Sequence, residues 1–558
     1  MTMREFSDYF KTILFGVFLI ALPLIYGSYH NIFRNEIVYC AVLLFFCVIA
    51  VLTRNPFCNN DSRMLDIAVF LFLLFGVLNI IFIKNGAFDR FILYKWAAVT
   101  GCYFVVKQLK YKEILLYSLV VSGVVQSIIA FLQKSGILAS NNMMFDVSGS
   151  FGNPGQLGGY LVVCTVVSIC LLINNIKTKN KLLVGLLTIG LVIQIYGLYL
   201  ADSRAAFVGL IVGLLVFFIP TIKKYKKLFF SIMAVSIIAV CIALYFYRPA
   251  SANGRLLIWR VSTEMIADKP FFGHGIGAFP EKYMLYQAKY FSENPTSKFI
   301  LVADNAAFPF NELLNVATQQ GIVGLIIVLA IFYFAFRAKG NRTFKAALAT
   351  LAVFSMFSYP TEVFPILLLF VVCLGGLRDS SVIVELTRNS LKNRIFITIF
   401  CLFVGFFITK DLIFVNQLSK SYKNNDMTSF EQSYEEMRYN RNYHDYYMDW
   451  LIEQPNSEHS ERVENILPSC ENYSLLAEYF LAKKNYEQAE TTLCIAVDMI
   501  PTRIRPKYLL WQTYMEMENT SAALEMAQKI LKTHVKVESV FTLKVKAQMK
   551  KYLAENIS

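Results

Sequence analysis

The chain has 558 residues, of which 56% are apolar and only 16% are charged. A soluble protein would carry about a quarter charged residues, so this composition excludes an ordinary soluble fold. The net charge of +14 does not indicate nucleic acid as a partner, because the positive residues lie in short loops between apolar runs.

The apolar residues form repeated runs, each long enough to cross a hydrocarbon core about 30 Å thick. From run length we predict an all-α polytopic membrane protein of about thirteen transmembrane helices, within a range of roughly 11 to 14. The predicted spans lie near 13–27, 37–53, 65–83, 91–106, 113–132, 157–174, 182–200, 205–220, 228–247, 319–337, 344–358, 361–377 and 394–413.

Lys and Arg are concentrated in alternate loops, and loops rich in these residues stay in the cytoplasm. The basic loops contain Lys107, Lys110 and Lys112; Lys177, Lys179 and Lys181; Lys223, Lys224, Lys226 and Lys227; Arg337, Lys339, Arg342 and Lys345; and Arg378, Arg388, Lys392 and Arg394. The opposite loops, about 133–156, 201–204 and 248–318, and the tail from about 416 are therefore predicted to lie outside.

The tail at 416–558 is polar and repeats at an offset of 34 residues. Leu475 matches Leu509, Leu476 matches Leu510, Phe480 matches Tyr514, and Ala489 matches Ala523. This period is typical of tetratricopeptide repeats, so we predict a C-terminal α-helical repeat domain with repeats over about 468–535. It is either a helical cap without a specific ligand or a docking surface for a protein partner or acceptor.

Two outer segments before the large loop carry candidate binding residues. Arg204 follows Asp202 in a tight turn between two apolar runs, where a guanidinium can hold a phosphate with two hydrogen bonds. The alternative is an arginine that pairs with Asp202 at a helix start. Asn153 precedes Pro154 in a glycine-rich turn whose backbone N–H groups could face an anion, although many loops before a span look similar.

The large loop about 248–318, with the span start after it, contains several polar and glycine-rich stretches. They are GRLLIWR at 254–260, DKPFFGHGIGAF at 268–279, Asp304-Asn305, PFNELL at 309–314, and QGIVG at 320–324.

These stretches, with SFGNPGQLGGYL at 150–161 and DSRAA at 202–206, resemble the O-antigen ligase and polymerase superfamily, which includes protein O-oligosaccharyltransferases. The superfamily pattern is an arginine-containing helix that ends in Trp, a PxxGxGxGxF turn, HNxxL, and a GxxG span start. By motif the resemblance covers about 150–330. It implies a GT-C-like transmembrane domain at 1–415 in the bacterial inner (plasma) membrane, with the 416–558 tail in the periplasm.

The resemblance implies transfer of a glycan from a polyprenyl-pyrophosphate donor to an acceptor hydroxyl on a lipid core, a growing polysaccharide or a protein. Fixed cations would meet the charge that develops on the leaving pyrophosphate, and the candidates are Arg204, Arg255 and, as a weaker third, Arg260. Asn153 and Asn311 would orient the donor or acceptor. We expect no metal and no cofactor besides the lipid-linked donor, and membrane lipid as the surrounding partner.

One residue departs from the pattern, because Phe310 stands where the superfamily has the histidine usually assigned to catalysis. Three other residues are candidates for the base or for substrate binding. His274 lies in the glycine-rich turn and is otherwise a simple turn residue. Glu312 could instead cap a helix or pair with a loop arginine, and Asp304 is the third candidate.

Two other functions stay open. A transporter or flippase of lipid-linked glycan would show internal repeats of span groups and several charges at mid-membrane depth, whereas Lys95 is the clear mid-span charge in this sequence. A catalytically inactive assembly factor is suggested by Phe310. The sequence does not separate ligation, polymerisation and protein glycosylation.

Overall fold

The computed structural model describes residues 3–28, 32–52, 63–83, 89–176, 180–220, 231, 249–377, 391–454, 459–536 and 538–556. These residues form α-helices joined by turns and short 3-10 segments, and no strand occurs among them. The predicted all-α fold class is therefore confirmed.

The first fourteen helices form the bundle and its large loop. They are α1 Met3–Ser28, α2 Arg34–Leu52, α3 Arg63–Ile83, α4 Arg90–Gln108, α5 Glu113–Lys134, α6 Pro154–Asn175, α7 Lys181–Leu200, α8 Arg204–Phe218, α9 Pro249–Asp268, α10 Ala278–Glu293, α11 Glu312–Arg337, α12 Arg342–Phe354, α13 Phe364–Gly376 and α14 Leu391–Lys423.

Seven of the described helices are long and apolar enough to cross a membrane, which makes the chain a multi-pass membrane protein. These candidate spans are Glu5–Tyr26, Met64–Ile83, Glu113–Lys134, Pro154–Asn175, Lys181–Leu200, Glu312–Arg337 and Thr398–Lys423. Helices α8 and α13 are shorter but apolar. Every predicted span overlaps a described helix except 228–247, which apart from residue 231 lies outside the described residues. The total of about thirteen stays a prediction.

Helix α6 is at the centre of the bundle and packs against α5, α7, α8 and α12. Two adjacent glycines make this close packing possible. A Cβ atom on Gly158 would lie 2.3 Å from the Cβ of Ser203, and one on Gly159 would lie 2.3 Å from the Phe354 ring. The start of α6 is therefore held against the turn that leads into α8, and this brings the Asn153 and Arg204 segments to the same end of the bundle.

Segments predicted to share one side of the membrane do contact one another. Arg204 bonds to Ser251 of the large loop, and Asn153 bonds to Tyr359 in the turn between α12 and α13. At the opposite end of the bundle, Lys112 donates to the carbonyl of Gly375. These contacts agree with the alternation of loops predicted from charge. It stays a prediction that the face with Arg204 and Asn153 is the outer face of the membrane.

The tail continues without a break from the last bundle helix, because α14 runs across residue 415 to Lys423. The tail helices are α15 Met427–Gln432, α16 Tyr434–Met437, α17 Arg441–Ile452, α18 Cys470–Ala482, α19 Tyr486–Met499, α20 Arg505–Glu516, α21 Thr520–Lys532 and α22 Val540–Asn556.

The 34-residue offset is visible in the tail's geometry. Lys484 and Glu518 both adopt φ of 57°, and the next residues, Asn485 and Asn519, each cap a helix with the side chain. Helices α18 and α19 form one packed pair, and α20 and α21 form another. The sequence repeat therefore corresponds to two equivalent helix pairs, and its assignment to the tetratricopeptide class stays a prediction.

The tail packs against the large loop as well as against the bundle. Gln287 of α10 donates to the carbonyl of Met499 at 2.7 Å, and the Cys470 amide donates to Asn305 at 3.3 Å. On the bundle side, the amide of Asn440 donates to Glu36 at 2.8 Å and to Asp89 at 2.6 Å. One surface of the tail therefore holds the large loop, and a partner for the rest of the tail stays a prediction.

We expect Asn440→Ala to destabilise the protein more than the loss of an ordinary helix cap. Asn440 is 2% exposed and caps α17 while it bridges two carboxylates. A lost cap costs about 1 kcal/mol, and each carboxylate left without its donor adds about 1–3 kcal/mol. Thermal unfolding in detergent measures the loss.

Asn519→Ala is the matched control for this substitution, because exposed Asn519 caps α21 by accepting from the amide of Ala522 at 3.1 Å. An equal drop in melting temperature for the two variants would contradict a bridging role for Asn440.

Candidate functional site

Two arginines from separate segments meet at one end of the bundle. Arg204 starts α8, and its Nη2 donates to the Oγ of Ser251 at 3.0 Å, in the first turn of the helix that carries Arg255. Burial lowers the pKa of Arg255, and repulsion from Arg204 lowers it further, while Tyr359 opposes the shift. Because an arginine stays protonated in proteins, two positive charges are held close together at this point.

Aromatic rings lie beside Arg255. The guanidinium carbon of Arg255 lies 5.6 Å from the centroid of the Phe310 ring, within range of a cation–π interaction. Phe310 meets Tyr359 edge to face at 5.2 Å, and Phe308 stacks on Tyr359 at 4.7 Å. We call Arg204, Arg255, Phe310, Tyr359 and Asn153 the arginine–tyrosine cluster.

The two asparagines predicted to bind substrate both cap helices. Asn153 accepts from the amide of Gln156 at 3.0 Å and donates to the Tyr359 hydroxyl at 2.7 Å. Asn311 accepts from the amides of Leu313 and Leu314 at 3.0 and 3.2 Å. Both therefore fix the backbone beside the cluster, and direct contact with a substrate stays a prediction for each.

Glu312 is buried next to the cluster and fully used by protein donors. One of its oxygens accepts from the amide and hydroxyl of Thr361 at 3.1 and 2.7 Å, and the other accepts from Asn315 at 3.1 Å. These bonds tie the start of α11 to the turn that follows Tyr359. The geometry gives Glu312 a positioning role, and its role as a base stays a prediction.

His274 lies apart from the cluster. It is 4% exposed, its Nε2 donates to the carbonyl of Met265 at 2.9 Å, and its Nδ1 has no partner among the described residues. Burial lowers the pKa of this imidazole. Met265 follows Arg255 by ten residues on α9, which is about 15 Å along a helix. The structure therefore does not bring His274 to the arginines.

The glycine turn at 270–277 joins three helices. Its backbone bonds to a break in α11, with His274 N donating to Thr318 O at 2.9 Å and Ile322 N donating to Pro270 O at 2.8 Å. Asn79 of α3 donates to the Phe272 carbonyl at 2.8 Å and accepts from the amide of Ile276 at 3.0 Å. The glycine turn therefore holds the end of α9, the helix that carries Arg255, against α11 and α3.

Arg260 and Asp304 also lie outside the cluster. The Arg260 side chain is 64% exposed and pairs with Glu264 on its own helix at 3.6 Å. Asp304 pairs with two tail residues, Lys536 at 3.1 Å and Arg503 at 3.5 Å. The contacts of Asp304 join the large loop to the tail, and the predicted substrate contacts of both residues stay predictions.

Sequence reasoning missed Tyr359, which contacts Asn153, Phe308 and Phe310. The available signal was its position, because Tyr359-Pro360 fills the short turn between two predicted spans on the same side as the other candidate loops. Among the described residues, no group of three or more His, Cys, Asp or Glu could hold a metal ion. The absence of a metal from the reaction stays a prediction.

The apolar helices and the polar cluster at one end define a multi-pass membrane protein with a candidate anion site among its loops. Residues 189–329 match the model of the O-antigen ligase family, and this segment includes Arg204, Arg255 and Phe310. The chain therefore carries an O-antigen ligase domain over this segment.

Three Rickettsia proteins that are named as candidate polysaccharide ligases resemble this chain. The Rickettsia typhi protein is 23% identical over 52% of this chain and 78% of its own length. The Rickettsia conorii protein is 24% identical over 33% of this chain and 46% of its own length, and the Rickettsia felis protein is 24% identical over 31% and 43%. The chain thus spans less than half of the last two relatives. No solved structure matches it.

Proposed function

We propose that this protein transfers a glycan from a polyprenyl-pyrophosphate donor to an acceptor hydroxyl at the outer face of the bacterial inner membrane. The observation that carries the proposal is the meeting of Arg204 and Arg255, at one end of an apolar bundle. A donor with a long lipid tail stays in the bilayer, and its pyrophosphate then lies where the bundle ends.

The two arginines would stabilise the leaving group. As the acceptor oxygen attacks the anomeric carbon, the bond from that carbon to the pyrophosphate oxygen breaks, and its electron pair stays on the pyrophosphate. Charge that develops on a leaving group is best stabilised by cations already held in place. Ser251 and the Phe310 ring hold the two guanidinium groups before substrate arrives.

Tyr359 would complete the donor site. Its hydroxyl accepts from Asn153, so its own proton is available to a ligand oxygen. The acceptor hydroxyl must lose a proton, and a general base for this step contributes about 10²–10⁴-fold. The pyrophosphate oxygens can take that proton themselves, so the reaction does not require a histidine at position 310.

Transfer by the purified full-length chain tests the proposal. The donor is a polyprenyl-pyrophosphate glycan, the acceptors are a lipid core, a polysaccharide and a protein, and mass spectrometry identifies each product. We expect one acceptor to gain the glycan while free polyprenyl pyrophosphate is released. Two results together would contradict the function. The folded protein would transfer the glycan to none of the three acceptors, and deletion of the gene would leave the surface glycans of the strain unchanged.

Phe310→His is expected to raise the transfer rate. Phe310 has a φ of 52°, a left-handed backbone in which a bulky residue is an outlier but histidine and asparagine are several-fold enriched. A histidine here would fit the backbone and supply a general base, which contributes about 10²–10⁴-fold. Initial rates with saturating donor measure the change.

Phe310→Asn is the control for this substitution, since it suits the same backbone without supplying a base. Phe310→Asn also removes the ring that contacts Arg255, so it should be slower than wild type. A Phe310→His enzyme that is no faster than Phe310→Asn would contradict the expected gain from a base.

A further inference from the structure

A cavity lies at the end of the bundle opposite the arginine–tyrosine cluster. Its volume is about 580 Å³, and it opens among α1, α5, α12 and α13. The residues that decide its chemistry are Tyr9, Lys110, Tyr111, Lys112, Asn341 and Phe344. Helix α5 runs from this cavity toward the other face, and its 22 residues span about 33 Å. The cavity is thus separated from the cluster by about one membrane thickness.

The cavity carries positive charge beside aromatic rings. Lys112 donates to the carbonyl of Gly375 at 2.8 Å, so its ammonium group is fixed on one wall. The ammonium group of Lys110 lies 5.5 Å from the Tyr111 ring centroid, and Tyr9 meets that ring edge to face at 5.1 Å. Tyrosines of this kind concentrate at the level of lipid headgroups.

Neighbouring charges reinforce the same sign. Lys339 and Arg342 flank the lining residues Gly340 and Asn341, and both are exposed. Glu113 contributes one opposing carboxylate at the cavity edge. Asp8, which precedes Tyr9, is a second nearby carboxylate. Four nearby cations against these two anions favour an anionic ligand, and the ring of Phe344 offers that ligand an apolar wall.

We propose that this cavity binds the phosphate headgroup of an anionic phospholipid. Basic pockets between membrane helices on the positively charged side of a protein recognise such headgroups, and 580 Å³ is within the range of pockets that enclose small ligands. The lipid would bind at the face away from the glycan donor, where it would join α1, α5 and α12. The site is independent of the transfer reaction.

Native mass spectrometry of the full-length chain tests the site. Wild-type protein and Lys110→Ala/Lys112→Ala are titrated with phosphatidylglycerol, with phosphatidylcholine, and with inorganic phosphate as a competitor. We expect wild type to prefer phosphatidylglycerol, and each lost lysine to weaken its binding about fivefold. Lys110→Ala alone is the second variant, because Lys112 also anchors Gly375 and its loss could disturb folding.

Lys181→Ala is the matched control, since Lys181 is exposed at the start of α7 on the same face and does not line the cavity. The control should bind phosphatidylglycerol as wild type does. Equal binding by Lys110→Ala, the double variant and the control would overturn the site. Displacement of phosphatidylglycerol by an equal concentration of inorganic phosphate would also overturn it, because the occupant would then be a soluble anion.

Discussion

Arg204→Ala and Arg255→Ala should each lower glycan transfer by about 10²–10³-fold, the cost of removing one fixed group that stabilises developing charge. Both guanidinium groups are in place before substrate binds, through Ser251 for Arg204 and through the Phe310 ring for Arg255. Losing either one leaves the other to meet the pyrophosphate alone. The loss should appear in kcat as well as in the KM for donor, because the charge grows in the transition state.

Lys289→Ala is the matched control for these two substitutions. Lys289 lies in the same large loop as Arg255, but its side chain is 67% exposed and pairs with Glu293 at 3.9 Å. The Lys289→Ala enzyme should transfer within about twofold of wild type, because an exposed ion pair contributes little. Full activity in a folded Arg255→Ala enzyme would remove Arg255 from the donor site.

Arg204→Ala/Arg255→Ala tests whether the two guanidinium groups act together. When two residues act as a unit, the double variant loses far less activity than the sum of the two single losses in transition-state free energy predicts. We therefore expect the double variant to be little slower than the worse of the two single variants.

The helices and both arginines could be predicted from the sequence for physical reasons that act locally. Run length predicts where the apolar helices lie, but not their ends. Helix α1 at Met3–Ser28 begins ten residues before the predicted span 13–27, and α14 at Leu391–Lys423 ends ten residues after the predicted span 394–413. Arg204 stood out because a charge between two apolar runs is costly. The superfamily motif picked out Arg255. That the two would meet depends on the large loop folding back onto the start of α8, which no local pattern encodes.

The remaining site residues depend on contacts between distant parts of the chain. Tyr359 is one tyrosine in a short turn, and its importance appears only when Asn153 and Phe310 are packed against it. Asp304 looked like a loop carboxylate available to substrate, but the tail supplies Lys536 and Arg503 as its partners. His274 looked like a free turn residue, and burial places it against Met265.

Gly321→Ala and Gly273→Ala are expected to cause large losses of stability. Gly321 has a φ of 66° at the break in α11, and an added Cβ would lie 2.2 Å from the carbonyl oxygen of Phe271. Gly273 has a φ of 70°, and its Cβ would lie 2.4 Å from the backbone of Gln319. Both contacts are with backbone, so no change of side-chain rotamer relieves them. Strained conformation costs about 1–3 kcal/mol, and the overlap adds about 1–3 kcal/mol.

Gly136→Ala separates the two costs, because Gly136 has a φ of 73° and nothing within 4 Å of an added Cβ. Its melting temperature in detergent should fall by the conformational cost alone, while those of Gly321→Ala and Gly273→Ala should fall by clearly more. The backbone contacts of Gly273 and Gly321 also fix α9 against α11, and they thereby keep Arg255 beside Phe310. A folded Gly273→Ala protein should therefore also transfer more slowly. Equal melting temperatures for Gly273→Ala and Gly136→Ala would show that the glycine turn is not packed tightly against the backbone of α11.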